Sequence, residues 1–260
     1  MEENRADSAG ETRMSRVQIL FRLAEALTKV PETTANTLVR DGFQVSATTG
    51  NPGNEKEAWT NASFSRNGEV FSGDKWWSPA DSSYHFYASN ADLAFDASGA
   101  LVYASTEEDV VCAHIPIPSF RQPNELAFQH IFARLDKVDI QGPERYTTTV
   151  LSVSITPYIS GTYNLRTHEW SDLQPGEPVL LGADNDLWCV PGYYSLTVQY
   201  TLTLGDYTQT FTKDRLIVLP AGKTSNLLGK LPTGQAQEME YTLEVADWTD
   251  HVIDLGLYGH

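Results

Sequence analysis

Residues 192–211 form the stretch GYYSLTVQYTLTLGDYTQTF, which decides the class of fold. Large apolar residues alternate with hydroxyl or amide side chains, as in a β-strand, at Tyr194, Leu196, Val198, Tyr200, Leu202 and Leu204. Gly205 and Asp206 interrupt the alternation, and Tyr207 and Phe211 then resume it. The stretch therefore predicts an antiparallel hairpin with one buried face and one hydroxyl-rich face. Because a hairpin is not stable alone, other strands must complete its core.

The rest of the chain repeats this pattern in shorter runs. Apolar residues alternate over residues 126–132, β-branched residues dominate residues 147–155, and Gly, Pro, Asn or Asp separate such runs. Asn67-Gly68 lies between two of them and predicts a tight type I′ hairpin. No span combines the length, the capping residues and the 3.6-residue stripe of a long helix. The sequence therefore predicts an all-β protein.

Three closely spaced prolines predict a boundary between two domains. Pro116, Pro118 and Pro123 lie among polar residues, which is typical of a linker. We expect a disordered polar segment at residues 1–16, an N-terminal β-sandwich domain at 17–120 and a C-terminal β-sandwich domain at 124–260.

The first apolar run favours a strand, although Leu20, Ala24 and Leu27 fit a helical stripe almost as well. The residues that alternate with period two are Val17, Ile19, Phe21 and Leu23. Two basic residues, Lys29 and Arg40, follow in sequence that a trypsin-like protease could reach.

The charge of the chain excludes several classes of partner. Eighteen Lys+Arg against 34 Asp+Glu give a formal net charge of −16. Phosphate backbones and anionic bilayers would repel such a chain, so we expect no nucleic acid partner and no direct membrane-surface binding. No apolar run approaches the roughly 20 residues that span a bilayer. Met1 is followed by polar residues, so either the protein is cytosolic or an export leader has been removed.

The sequence contains none of the motifs that mark a catalytic or metal site. Cys112 and Cys189 lie between apolar neighbours and are predicted to be buried free thiols. His130 is predicted to be a hydrogen-bonded core histidine, and residues 184–186 (Asp-Asn-Asp) a turn rather than a calcium loop. We expect no enzyme, no catalytic residue, no metal and no cofactor, although two carboxylates brought together by folding could still cleave glycosides.

Four tryptophans are candidates for stacking on sugars: Trp59, Trp76, Trp77 and Trp170. Such rings occur more often in cores and on sheet faces than in sugar platforms. They nevertheless support a surface glycan-binding module as an alternative function.

A series of short motifs follows in a characteristic order. They are Trp76-Trp77-Ser78-Pro79, Tyr84-x-Phe86-Tyr87-Ala88, Asp109-Val110-Val111-Cys112-Ala113, Phe128-x-His130-x-x-Ala133-Arg134-Leu135, Gly161-x-Tyr163-x-Leu165 with Trp170, Val190-Pro191-Gly192-Tyr193-Tyr194, Gly222-Lys223 and Trp248. In this order and spacing they resemble the fimbrillin family, which comprises pilins and pilin-like lipoproteins of the type V pili of Gram-negative anaerobes. The resemblance covers residues 17–250 approximately.

The resemblance implies two transthyretin-like β-sandwich domains and a subunit of a cell-surface fimbrium. In such pilins a protease cuts after a basic residue that follows the first strand, and a strand of another pilin subunit fills the open groove. Here the exchangeable strand would be residues 17–23, and the cut would follow Arg40 or, less favoured, Lys29. The resemblance also implies an outer-membrane lipid anchor on a leader absent from this chain, and a surface glycan or protein as adhesion ligand. The short tail after Trp248 favours a tip or accessory subunit over a stalk subunit.

Overall fold

The computed structural model describes residues 17–24, 34–50, 54–77, 84–91, 95, 100–107, 109–116, 118, 123–234 and 237–247. Within these ranges the protein is all-β, with nineteen strands and one five-residue helix, which confirms the predicted fold class. That helix is too short and too polar to cross a bilayer, and the same ranges contain no helix that could.

The elements follow one another with short connections. In chain order they are β1 Gln18–Leu23, α1 Thr34–Leu38, β2 Gly42–Thr49, β3 Lys56–Asn67, β4 Val70–Trp76, β5 Tyr84–Ser89, β6 Ala100–Ser105, β7 Val111–Ile115, β8 Asn124–Leu126, β9 Gln129–His130, β10 Ala133–Gln141, β11 Thr147–Ile155, β12 Tyr158–Asn164, β13 Glu169–Pro175, β14 Val179–Leu180, β15 Asp184–Cys189, β16 Gly192–Leu204, β17 Tyr207–Leu219, β18 Lys223–Lys230 and β19 Glu240–Asp247.

Eight strands form the first sheet, in the order β8-β1-β4-β3-β2-β5-β7-β9. Only Ala127 and Phe128 separate the two end strands, so the sheet curls round until β8 contacts β7. The enclosed side chains form the first core, which is rich in phenylalanine: Phe21, Phe43, Phe64, Phe71, Phe86 and Phe128. A tight turn joins β3 to β4 as predicted, but the predicted type I′ is wrong. Asn67 pairs with Val70, so Gly68 and Glu69 are the central residues, and only Gly68 has a positive φ, of 66°.

Two four-stranded sheets, β15-β10-β18-β19 and β14-β11-β16-β17, face each other over the second core. The predicted hairpin is confirmed, because β16 and β17 pair antiparallel from Gly192↔Leu219 to Leu204↔Tyr207. Its even-numbered face is buried from Tyr194 to Leu202. The prediction is wrong for Leu204, which is 55% exposed because the tip of the hairpin extends beyond the core.

A third sheet, β13-β12-β6, connects the two halves of the chain. β6 comes from the first half and pairs antiparallel with β12 from the second, and this sheet contributes to a third core that also contains Tyr87 and Phe132. β8 and β9, which follow Pro123, belong to the first sheet. The predicted boundary at residues 120–124 therefore does not coincide with the strand pairing. Prolines act on the local backbone, whereas these strands pair with partners far away in the sequence.

A short helix precedes β2. It begins at Thr34, and Ala35 and Val39 are buried in the first core. Residues 1–16 and the tail 248–260 lie outside the described residues.

Candidate functional site

The predicted exchangeable strand is β1, and it lies inside the first sheet. It pairs antiparallel with β4, for example Phe21↔Phe71, and parallel with β8, for example Phe21↔Asn124. Backbone hydrogen bonds continue beyond both ends, since Trp77 N donates to Val17 O and Ala24 N donates to Leu126 O, each at 2.9 Å. β1 therefore has a hydrogen-bonded neighbour on either side.

Two side chains of β1 fill the first core. Ile19 and Phe21 are both completely buried. The Phe21 ring contacts Phe64 and Phe86 with centroid distances of 4.9 and 5.1 Å, and both contacts are edge-to-face. Edge-to-face pairs of this kind add about 0.5–1.5 kcal/mol to the free energy of burying the ring. Phe21 is therefore the main apolar anchor of β1.

The other two residues predicted for this strand contribute less to the core. Val17 precedes β1 and is 48% exposed, so its role is the hydrogen bond of its carbonyl. Leu23 is half-buried at the end of β1 and packs against the rim of the first core.

Polar side chains that the sequence analysis overlooked hold the backbone of β1. Gln18 Nε2 donates to Gly73 O of β4 at 2.7 Å, and buried Asn124 donates through Nδ2 to Leu20 O at 3.3 Å. Arg22 and Glu125 form an ion pair in which both side chains are about half exposed. Such a pair contributes little in water. Asn124 directly follows the proline-rich stretch, and no pattern in the sequence there indicates that its side chain binds the backbone of β1.

Of the two predicted cleavage positions, the described residues include one. Arg40 follows α1, and its side chain is exposed beside Asp41 at 3.5 Å. Its backbone N donates to Thr37 O at 3.3 Å, and the preceding Val39 is completely buried. A protease that binds an extended segment around Arg40 would therefore have to pull Val39 from the core. Lys29 lies outside the described residues.

The four candidate tryptophans do not form one surface. Trp59 and Trp77 both pack on Phe86, with centroid distances of 6.0 and 5.7 Å. Trp170 packs against the third core. Trp76 is 44% exposed. The structure thus brings two of the indoles together against the first core and leaves one at the surface.

An arginine links the third sheet to the first. Arg166 lies in the β12–β13 turn, and its Nη1 donates to Glu55 Oε1 at 2.5 Å. Its Nε donates to the hydroxyl of Tyr87 on β5, also at 2.5 Å. Glu55 is largely buried, so the guanidinium supplies the charge that this carboxylate needs. We call this set of residues the Arg166 clamp.

Two histidines lie beside the Arg166 clamp. The ring of His114 stacks on Tyr87 at 4.9 Å and on His85 at 5.8 Å. Burial, together with the charges of His85, Arg166 and His168, lowers the pKa of His114 to about 4. Burial and Arg166 also lower the pKa of His85. Both imidazoles therefore favour the neutral form in the folded protein.

The buried thiols and the core histidine agree with the sequence analysis. Cys112 and Cys189 are free and buried, and burial raises the pKa of each thiol to about 12. Neither is a reactive thiolate at neutral pH. His130 is buried, and its Nδ1 lies 2.8 Å from Asp109 Oδ1. Among the residues that the structure describes, no group of three or more His, Cys, Asp or Glu side chains could hold a metal ion.

No protein-family model and no curated protein matches the chain. Several solved structures resemble it. A provisionally assigned cell adhesion protein from Bacteroides eggerthii DSM 20697 has 10% identity and a TM-score of 0.48, with 90% of this chain and 96% of that chain covered. A second provisionally assigned cell adhesion protein, from Bacteroides ovatus ATCC 8483, has 13% identity and a TM-score of 0.44, with 82% of this chain and 89% of that chain covered. A fimbrial assembly protein from Parabacteroides distasonis ATCC 8503 has 10% identity and a TM-score of 0.40, with coverages of 89% and 98%.

These neighbours are named for cell adhesion and fimbrial assembly.

Proposed function

We propose that this chain is a structural or adhesive subunit of a cell-surface fimbrium, and that it assembles by exchange of β1. The observation that carries the proposal is the position of β1 between β4 and β8, with Ile19 and Phe21 buried. If β1 left, the facing backbone groups of both neighbours would lose their partners and the phenylalanine floor would meet water. A strand of another subunit would satisfy both, as in β-strand addition.

The first strand is suited to this exchange because only two of its side chains, Ile19 and Phe21, are completely buried. Burial of one large apolar side chain contributes about 1.5–3 kcal/mol, so Ile19 and Phe21 together account for several kcal/mol. A partner strand with apolar residues two positions apart would recover the same free energy. We propose Lys29 or Arg40 as the position of the activating cut. A cut after Lys29 would free β1 alone, whereas a cut after Arg40 would also free α1.

A cleavable variant of the full chain tests the exchange. A site for a sequence-specific protease replaces part of residues 25–33, and Arg40→Gln removes one natural site. After cleavage, the protein is incubated with a labelled peptide of residues 17–24, and capture is measured by fluorescence anisotropy. We expect capture after cleavage and none before it. The matched control peptides carry Phe21→Asp, which we expect to abolish capture, and Arg22→Ala, which we expect to leave it nearly unchanged.

Two outcomes would contradict strand exchange. One is release of β1 with no capture of the native peptide. The other is equal capture of the Phe21→Asp peptide, since the groove would then not select for the buried ring. Mixing cleaved with intact subunits tests the second half of the mechanism, and mass increase by light scattering is the expected result.

We propose that the chain is exported, acts at the cell surface without catalysing a reaction, and is attached through a lipid anchor before the activating cut. We propose a tip or accessory position for this subunit rather than a stalk position. Cleaved subunits that form long filaments by themselves, seen by negative-stain microscopy, would contradict that position.

A glycan-binding module is the second candidate, because the exposed indole of Trp76 could stack on a sugar. On a glycan array, Trp76→Ala would then abolish binding without changing the free energy of unfolding. Trp77→Ala is the matched control, since it alters the first core and we expect it to destabilise the protein. Equal glycan binding by the native chain and Trp76→Ala would eliminate this candidate.

A further inference from the structure

A groove of about 510 Å³ opens where residues of the third sheet meet β14 and β15. It is lined by the turn after β6, the start of β12, the β13–β14 connection and part of β15. No residue of β1, β4 or β8 lines it. The groove is therefore separate from the proposed exchange site, and a ligand in it would not compete with strand exchange.

Part of the groove lining, which we call the floor, is aliphatic and is held in place by close backbone packing. Ile159, Val179 and Leu187 supply aliphatic side chains. Gly176 N donates to Pro157 O at 2.8 Å, and a Cβ at Gly176 would lie only 2.8 Å from Ile159 Cγ2. The glycine thus lets the connection approach the Ile159 side chain and keeps it in the floor.

The acidic part of the lining is called the rim. Among the described residues that line the groove, four are carboxylates and none is basic; the carboxylates are Glu107, Asp109, Glu177 and Asp186. Asp186 Oδ1 accepts hydrogen bonds from Trp188 Nε1 at 2.7 Å and from Arg134 Nε at 2.8 Å, which fix its carboxylate at the rim.

The four carboxylates are only partly neutralised. Asp109 contacts His130, and Asp186 contacts Arg134. Glu107 and Glu177 form no ion pair in the part of the chain that the structure describes. An aliphatic floor beside a negative rim is complementary to a side chain with an apolar stem and a cationic head.

We propose that this groove binds a lysine or arginine side chain presented by an extended segment of a different protein. The methylene stem would lie on the floor, as long basic side chains do on apolar surfaces, and the charged head would reach Glu107 and Glu177. A second copy of this chain is a poor occupant of this groove, because two molecules with a net charge of −16 repel each other and, unlike in strand exchange, no buried strand offsets the repulsion. A basic segment is attracted by the same field.

Binding of short labelled peptides to the full chain tests the proposal. The probes are peptides of about seven residues in a Ser/Gly background with lysine, arginine, norleucine or glutamate at the centre. Fluorescence anisotropy gives their affinity at low and high salt. We expect binding of the lysine and arginine peptides only, and at least about tenfold weaker binding at high salt, since these exposed charges are screened.

Charge reversal provides the matched controls. Glu107→Lys with Glu177→Lys changes two exposed side chains of the groove, so the fold is retained, and we expect at least a tenfold loss of affinity. Asp206→Lys with Glu144→Lys makes the same change in net charge outside the groove, at positions that are also exposed. We expect this second variant to bind within about twofold of the native chain.

Four results would overturn the proposal. The first is an equal loss of affinity in both variants, and the second is equal binding of the norleucine peptide. The third is peptide binding that Ca²⁺ alone abolishes at low millimolar concentration, and the fourth is self-association in sedimentation that the groove variant removes. The third would make the groove a cation site, and the fourth would make it an interface between copies. Because the groove does not include β1, failure of this test leaves strand exchange intact.

Discussion

At the residue scale, Phe21 distinguishes β1 from an ordinary surface strand. Its ring is completely buried and lies edge-to-face on two other phenylalanines of the first core. Other residues of the same run look equally apolar in the sequence but bury less of their side chains in the first core. Val17 is 48% exposed, for example, and contributes through its backbone.

We predict that Phe21→Ala lowers the free energy of unfolding by about 3–5 kcal/mol, because it removes a buried aromatic ring and leaves a cavity. The measurement is urea unfolding of the full chain, followed by tryptophan fluorescence. Val17→Ala is the matched control in the same run, and we expect a change below about 0.5 kcal/mol. A similar loss in both variants would mean that β1 is not anchored by its buried face.

At the element scale, the β16–β17 hairpin depends on its turn as well as on its alternation. Gly205 has a φ of 62°, a conformation that costs other residues about 1–2 kcal/mol. A Cβ at Gly205 would meet no atom within 4 Å, so the cost of a substitution there comes from the backbone alone. Gly192 at the start of β16 also has open space, but its φ is not positive.

We predict that Gly205→Ala destabilises the protein by about 1 kcal/mol and that Gly192→Ala has no such effect. Chemical denaturation of both variants under identical conditions is the measurement. Since neither substitution creates a steric contact, the difference isolates the turn conformation. Equal stabilities would show that the turn relaxes to another type without cost.

At the scale of the whole molecule, the Arg166 clamp joins the first sheet to the β12–β13 turn, and neutral histidines lie beside it. His114 faces Tyr87 and His85, and the charges of Arg166 and His168 act on it. Its pKa is depressed in the folded protein, so the unfolded chain binds more protons between the two pKa values. Stability must therefore fall as the pH drops through this window.

We predict a loss of up to about 3 kcal/mol between pH 6.5, the ordinary pKa of histidine, and pH 4, where His114 titrates in the folded protein. The free energy of unfolding is measured across this range for the native chain and for His114→Gln. The carboxylates titrate equally in both, so the difference in slope reports on His114. Identical slopes would show that this imidazole is protonated without cost in the fold.

Local patterns in the sequence are sufficient to predict much of the fold. Alternation of apolar and polar residues predicts the strands β1, β16 and β17, because adjacent side chains of an extended chain point to opposite faces, and β-branched residues predict β11. Asn67-Gly68 and Gly205-Asp206 predict their turns, because few residues accept a positive φ. The free thiols and the core histidine followed from apolar neighbours in the sequence.

The candidate site was predictable only in part, since the strand was evident but its neighbours were not. The parallel pairing of β1 with β8, the pairing of β6 with β12, and the carboxylates around the groove join residues far apart in sequence. By itself the sequence determined the strands, their buried faces and the turns, because these depend on local conformation. Only the tertiary structure decided which strands pair and which carboxylates lie close together, because both depend on long-range packing that leaves no local pattern.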